Sequence, residues 1–147
     1  MNRKGITLDE IRIVVAIIAL LAAIAIPNLL RARLNSNESA AISALKTIAT
    51  GAISFRSVNV AYPANLAALS GATPAYIDGA LGAALPGTNG RGGYVFTLAG
   101  TASAFTATAQ PVIFQTTGVR SFFVDESGVI RWTDANAAAT VASTVLE

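Results

Sequence analysis

The sequence contains neither cysteine nor histidine among its 147 residues. Without thiols there is no disulfide staple and no thiolate zinc site. Without imidazole the commonest general base and the usual transition-metal ligand are missing as well. The chain is expected not to be an enzyme, and neither a cofactor nor a metal is expected in it. Charge is also scarce: 12% of residues are charged and 53% are apolar, against roughly 25% charged in ordinary soluble domains. Much of the chain must therefore face something other than water. The formal charge is +2, from ten basic and eight acidic residues. Two of the bases, Arg3 and Lys4, fall in the first five positions, and without them the balance is zero. Phosphate binding then has little electrostatic support, and nucleic acid is not an expected partner.

What the sequence does have is a long uncharged run, IVVAIIALLAAIAIPNLL, from Ile13 to Leu30. Its length of about 18 residues is close to that needed by a membrane-crossing helix. Arg3 and Lys4 precede it and Arg31 and Arg33 follow it, so the flanking charges do not orient it. A secretory signal is the natural competitor, but its apolar region is usually ~7–15 residues and ends at small residues. Here the run is longer and passes into a helical pattern. Ala41, Leu45, Ile48, Ala52 and Phe55 recur at 4-3-4-3 spacing, with Ser39, Ser43, Lys46, Thr50 and Ser54 elsewhere on the turn. One helix from about Ile6 to about Val58 is predicted, apolar all round at first and amphipathic later. Pro27 removes one intrahelical bond and bends the axis without ending the helix.

Tyr62-Pro63 marks a stop, and Pro63 is expected to open a short helix through Leu69, closed by Gly71. GALGAALPGTNGRGG, residues 79 to 93, reads as a long surface loop. Strand patterns follow: Tyr94, Phe96 and Leu98 alternate with Val95 and Thr97, and Phe105, Ala107 and Ala109 alternate with Thr106 and Thr108. SFFVDESGVIRW suggests a second hairpin around Asp125 to Gly128. The fold class is therefore α+β, a long bent N-terminal helix on a small antiparallel sheet of three to four strands. Residues 135 to 147 are read as a weakly ordered tail or an added edge strand.

The segment KGITLDEIRIVVAIIALLAAIAIPNLLRAR resembles the N-terminal signature of type IV prepilins and of type II secretion pseudopilins. The resemblance covers the first third of the chain and rests on several features at fixed spacing. It implies that residues 1–5 are a leader, 6–30 a transmembrane and filament-core helix, and 31–147 a head that includes the amphipathic half of the helix. It implies cleavage by a prepilin peptidase between Gly5 and Ile6 and N-methylation of Ile6. Glu10 matches the assembly glutamate five residues into the mature chain, and Pro27 the proline that bends the helix. The implied partners are copies of the same chain in a helical filament, the membrane, the peptidase, and an assembly ATPase with its platform protein. The implied location is the inner membrane, then a surface pilus or a periplasmic pseudopilus.

Glu10 also has a physical rationale. Cleavage after Gly5 creates an ammonium with a reference pKa near ~8, and a buried cation without a partner costs several kcal/mol. Glu10 lies four residues from Ile6, so its carboxylate can answer its own terminus or, as the resemblance implies, that of the subunit beside it. An isolated helix would instead leave Glu10 among lipid headgroups. Ile6 stands where the family has phenylalanine, and Asp9 and Arg12 stand where it has aliphatic residues. Their i, i+3 spacing would let them neutralise one another.

Weaker candidates lie elsewhere. Asp125, Glu126 and Asp134 offer oxygen ligands of the kind calcium takes, but Asp-Glu-Ser-Gly is ordinary turn composition. GTNGRGG lacks the order of a phosphate loop. Arg91, Arg120 and Arg131 would form a basic patch only if clustered. Trp132, Phe122, Phe123 and Tyr94 read as sheet core or subunit contact. The functional alternatives are a secretion pseudopilin and, from another class, a single-span membrane-anchored binding protein.

Overall fold

The computed structural model describes residues 5–146. Helix α1 spans Leu8–Val58, continuous through Pro27. Two short helices follow, α2 at Leu66–Ser70 and α3 at Gly79–Gly82. The strands are β1 (Tyr94–Gly100), β2 (Phe105–Pro111), β3 (Ser121–Asp125), β4 (Arg131–Thr133) and β5 (Thr144–Val145). They form one sheet in the order β1-β2-β3-β4-β5, every neighbouring pair antiparallel. The fold is α+β, as read from the sequence, with five strands rather than three to four. The added strand is Thr144–Val145, where Trp132 stands opposite Thr144.

The chain divides into two compact units, Met1–Arg33 and Leu34–Glu147. In the first, every large apolar side chain from Ile11 to Leu30 is about half exposed or more. It is long and apolar enough to cross a membrane. In the second, the predicted helical stripe is buried: Ala41, Leu45, Ile48 and Ala52 pack in one core with Tyr94, Phe96, Leu98, Phe105, Ala107, Ala109, Phe122 and Val124. The alternation in β1 and β2 is what produces this inner face, since residues i and i+2 of a strand project to the same side. Thr97 and Thr108, opposite each other in register, hydrogen-bond on the other side.

Two loop expectations change. Asn65, not Pro63, starts α2: its side-chain oxygen accepts from Ala68 N at 2.9 Å, while Gly71 closes the helix as expected. The glycine-rich stretch is not loop throughout. Asp78 caps the single turn α3, and Leu81 and Ala84 join the core. The β3–β4 turn behaves as its composition requires. Asp125 Oδ1 accepts from Ser127 N at 3.0 Å, and Gly128 takes φ 73°, a left-handed conformation that glycine adopts without strain.

Candidate assembly site

Gly5, Ile6 and Thr7 precede α1 and belong to no regular element, with Ile6 75% exposed. A side chain on Gly5 would meet nothing within 4 Å. The rest of the expected leader, residues 1–4, lies outside the described residues. Helix α1 starts by a reciprocal pair of hydrogen bonds. Glu10 N donates to Thr7 Oγ1 at 3.3 Å, and Thr7 N donates to Glu10 Oε2 at 2.7 Å. The Thr7 hydroxyl also donates to Oε2, at 2.8 Å. This is a capping box: Thr7 satisfies an orphan amide of the first turn, and Glu10 reaches back to the cap residue. The pattern is legible in the sequence as Thr-Leu-Asp-Glu, the same residues that carry the family resemblance. It leaves Glu10 with one oxygen held by its own helix and the other, Oε1, without a hydrogen bond among the described residues.

Further along, Pro27 cannot donate to the carbonyl of Ala23. Asn28 Nδ2 donates to Ile24 O at 3.1 Å, adding a side-chain bond in the same turn. Asp9 and Arg12, which the spacing would allow to pair, are not joined; among the described residues ion pairs occur only at Arg91–Asp78 and Arg120–Glu38.

A second polar cluster was missed in the sequence. Glu38 is 4% exposed. Its Oε1 accepts from Val119 N at 3.1 Å and Arg120 N at 3.2 Å, and its Oε2 accepts from Arg120 Nε at 2.7 Å. The Arg120 guanidinium also lies 5.8 Å from the Phe122 ring and 5.4 Å from Trp132. Beside this pair, Tyr94 Oη donates to Arg120 O at 2.7 Å and Asn37 Nδ2 donates to Thr117 O at 2.8 Å. Burial, then the Glu38 charge, raise the Tyr94 phenol above its ordinary range, with Arg120 opposing. Gly118 is required here because a Cβ would land on the Tyr94 hydroxyl. The cluster ties the segment between β2 and β3 to α1 within the head, and a buried carboxylate with this many donors needs no ligand to satisfy it.

The weaker candidates do not gather. Arg91 pairs with Asp78 at 3.0 Å, Arg120 with Glu38, and Arg131 Nη1 donates to Ser143 O at 3.4 Å, so the three arginines are engaged separately. Asp125 is committed to its own turn. No group of three His, Cys, Asp or Glu side chains that could hold a metal occurs among the described residues. Tyr94, Phe122 and Phe123 are buried and Trp132 half-buried, as core aromatics.

No protein-family model matches the chain. Over 68 residues it is 44% identical to the type IV wide pilus major component PilA4 of Thermus thermophilus, a stretch that is 46% of this chain and 52% of that protein. Over 54 residues it is 48% identical to the type IV major pilin protein PilA of Myxococcus xanthus, covering 37% of this chain and 24% of the relative. The matched stretches thus span about half the length of the first relative and about a quarter of the second. Over these stretches the chain is similar to type IV pilins, and it carries a long apolar N-terminal helix and an antiparallel sheet.

Proposed function

We propose that this chain is a structural subunit of a type IV pilus, cut from its leader between Gly5 and Ile6 and polymerised through the N-terminal part of α1. The observation that carries the reading is the unpartnered apolar surface from Ile11 to Leu30. In a membrane that surface is covered by lipid, and in a fibre by the same surface of other copies, so removal from the bilayer without exposure to water requires polymerisation. Glu10 and Pro27 are the assembly residues. The free Oε1 of Glu10 is the acceptor for the ammonium of a neighbouring copy's Ile6, while Oε2 stays with Thr7. That ammonium is N-methylated.

A surface pilus is favoured over a secretion pseudopilus because both relatives are named as type IV pilus subunits. The partners in this reading are further copies of the chain, the inner membrane, a prepilin peptidase and an assembly ATPase with its platform protein. The head supplies the outer surface and no chemistry.

Two measurements test the proposal in cells that carry an assembly machinery. Mass spectrometry of the extracted chain is expected to show a mature protein beginning at methylated Ile6, and sheared surface fibres are expected to contain it. An uncut chain confined to the membrane fraction contradicts the reading.

A further inference from the structure

Besides Glu10, the segment from Leu8 to Leu30 carries two charges, Asp9 and Arg12, both exposed. Their spacing suits an intrahelical pair, yet none forms among the described residues. A helix turns about 100° per residue, which puts the two about 60° apart and centres them roughly 130° round α1 from Glu10. Ala16, Leu20 and Ala23 continue the same side. The edge is therefore apolar and partly small, with one acid and one base at its start, and it faces away from the carboxylate that serves the terminus.

We infer that Asp9 of one copy pairs with Arg12 of a neighbouring copy along this edge, a contact separate from that of Glu10. This rests on the filament reading above. Within an apolar bundle a lone carboxylate or guanidinium is strongly disfavoured, and each subunit presents the complement of the charge the next one needs. Equivalent residues displaced by about three helical rises, ~4.5 Å along the axis, bring Asp9 level with Arg12. Acid on one copy meeting base on the next is a heterologous contact, the kind that propagates instead of closing into a dimer. The alanines at 16 and 23 let the two helices approach. In a solitary membrane helix, by contrast, lipid headgroups take both charges.

The test uses the full chain in cells with the assembly machinery. Asp9→Arg and Arg12→Asp are expressed alone and together, with membrane level and mature N-terminal mass as controls and the yield of sheared fibres as the readout. Each variant alone places like charges along the edge and is expected to lower fibre yield about tenfold or more. Co-expression is expected to restore it towards the parent level, with both variants present in the same fibres. The exchange Asp9→Arg/Arg12→Asp within one chain keeps the complementarity and is expected to assemble like the parent. If the single variants assemble as the parent does, headgroups or solvent handle the charges and the inference falls. If the mixture, or the exchanged chain, is inserted and processed but stays at low yield, pairing between copies is likewise overturned. Absence of fibres from the unaltered chain would instead overturn the filament reading itself.

Discussion

Leu20 and Leu45 sit on the same helix, yet Leu20 is 64% exposed and Leu45 is 0% exposed. Leu45 belongs to one buried core with sheet residues and with Leu66, Leu69 and Ile77 of the head, while among the described residues Leu20 and its large apolar neighbours stay exposed. The head is a domain that completes its core by itself. The N-terminal segment has no such core among the described residues, and in the proposed fibre its cover comes from other copies. Satisfaction of polar groups follows the same division. Glu38 has all its partners within the head, whereas Glu10 keeps an oxygen free and Asp9 and Arg12 have no ion-pair partner among the described residues.

Matched truncations distinguish the two parts of α1. Leu45→Ala is expected to destabilise the head by about 2–5 kcal/mol, whereas Leu20→Ala should leave it within about 0.5 kcal/mol of the parent. Both are read by urea titration of the detergent-solubilised chain, following Trp132, the one tryptophan, which lies in the head sheet. Equal losses would mean that the two parts of α1 are not thermodynamically distinct.

Glu38→Ala comes next, at about 2–3 kcal/mol. It strands two backbone amides and the Arg120 guanidinium, but the Arg120 side chain is 34% exposed, so water recovers part of the loss. The same titration checks it, and a change below about 0.5 kcal/mol would show that the buried pair does not organise the head. Gly118→Ala, which drives a methyl into the Tyr94 hydroxyl, is expected to cost about 1–3 kcal/mol.

The smallest effect concerns Tyr94. Its phenol is raised in the folded head from an ordinary value of 10, so the native state favours the neutral form. The stabilisation is complete below about pH 10 and declines above it, where the unfolded chain ionises first. Tyr94→Phe should cost about 1 kcal/mol at neutral pH through the lost bond to Arg120 O. It should also flatten this alkaline decline, as measured by denaturant midpoints across pH.

Legibility in the sequence followed the range of the interactions. The stripe from Ala41 to Ala52 and the alternation in β1 and β2 are local periodicities, and both appear where expected. The caps at Asn65 and Asp78 are local too, but they lie inside stretches dominated by Pro, Gly and Ala, whose turn signals mask the true start of α2 and the single turn of α3. Glu38 was invisible for a different reason. A single glutamate on an amphipathic helix reads as solvated surface, and its burial depends on Val119 and Arg120, more than 80 positions away. Thr7-Leu-Asp-Glu10 is a local capping pattern whose residues coincide with the family signature, so one stretch carries both signals. The unpaired state of Asp9 and Arg12 was not readable, since spacing permits a pair without requiring one.

In the proposed fibre, other copies of the chain cover the segment from Ile11 to Leu30. With no native cysteine, Leu20→Cys and Val60→Cys each introduce a single thiol, the second at a position 96% exposed in the head. A bulky water-soluble maleimide applied to sheared fibres is predicted to label the Val60 variant and spare the Leu20 variant until the fibres are dissolved in detergent. Equal labelling of both in intact fibres would contradict the account.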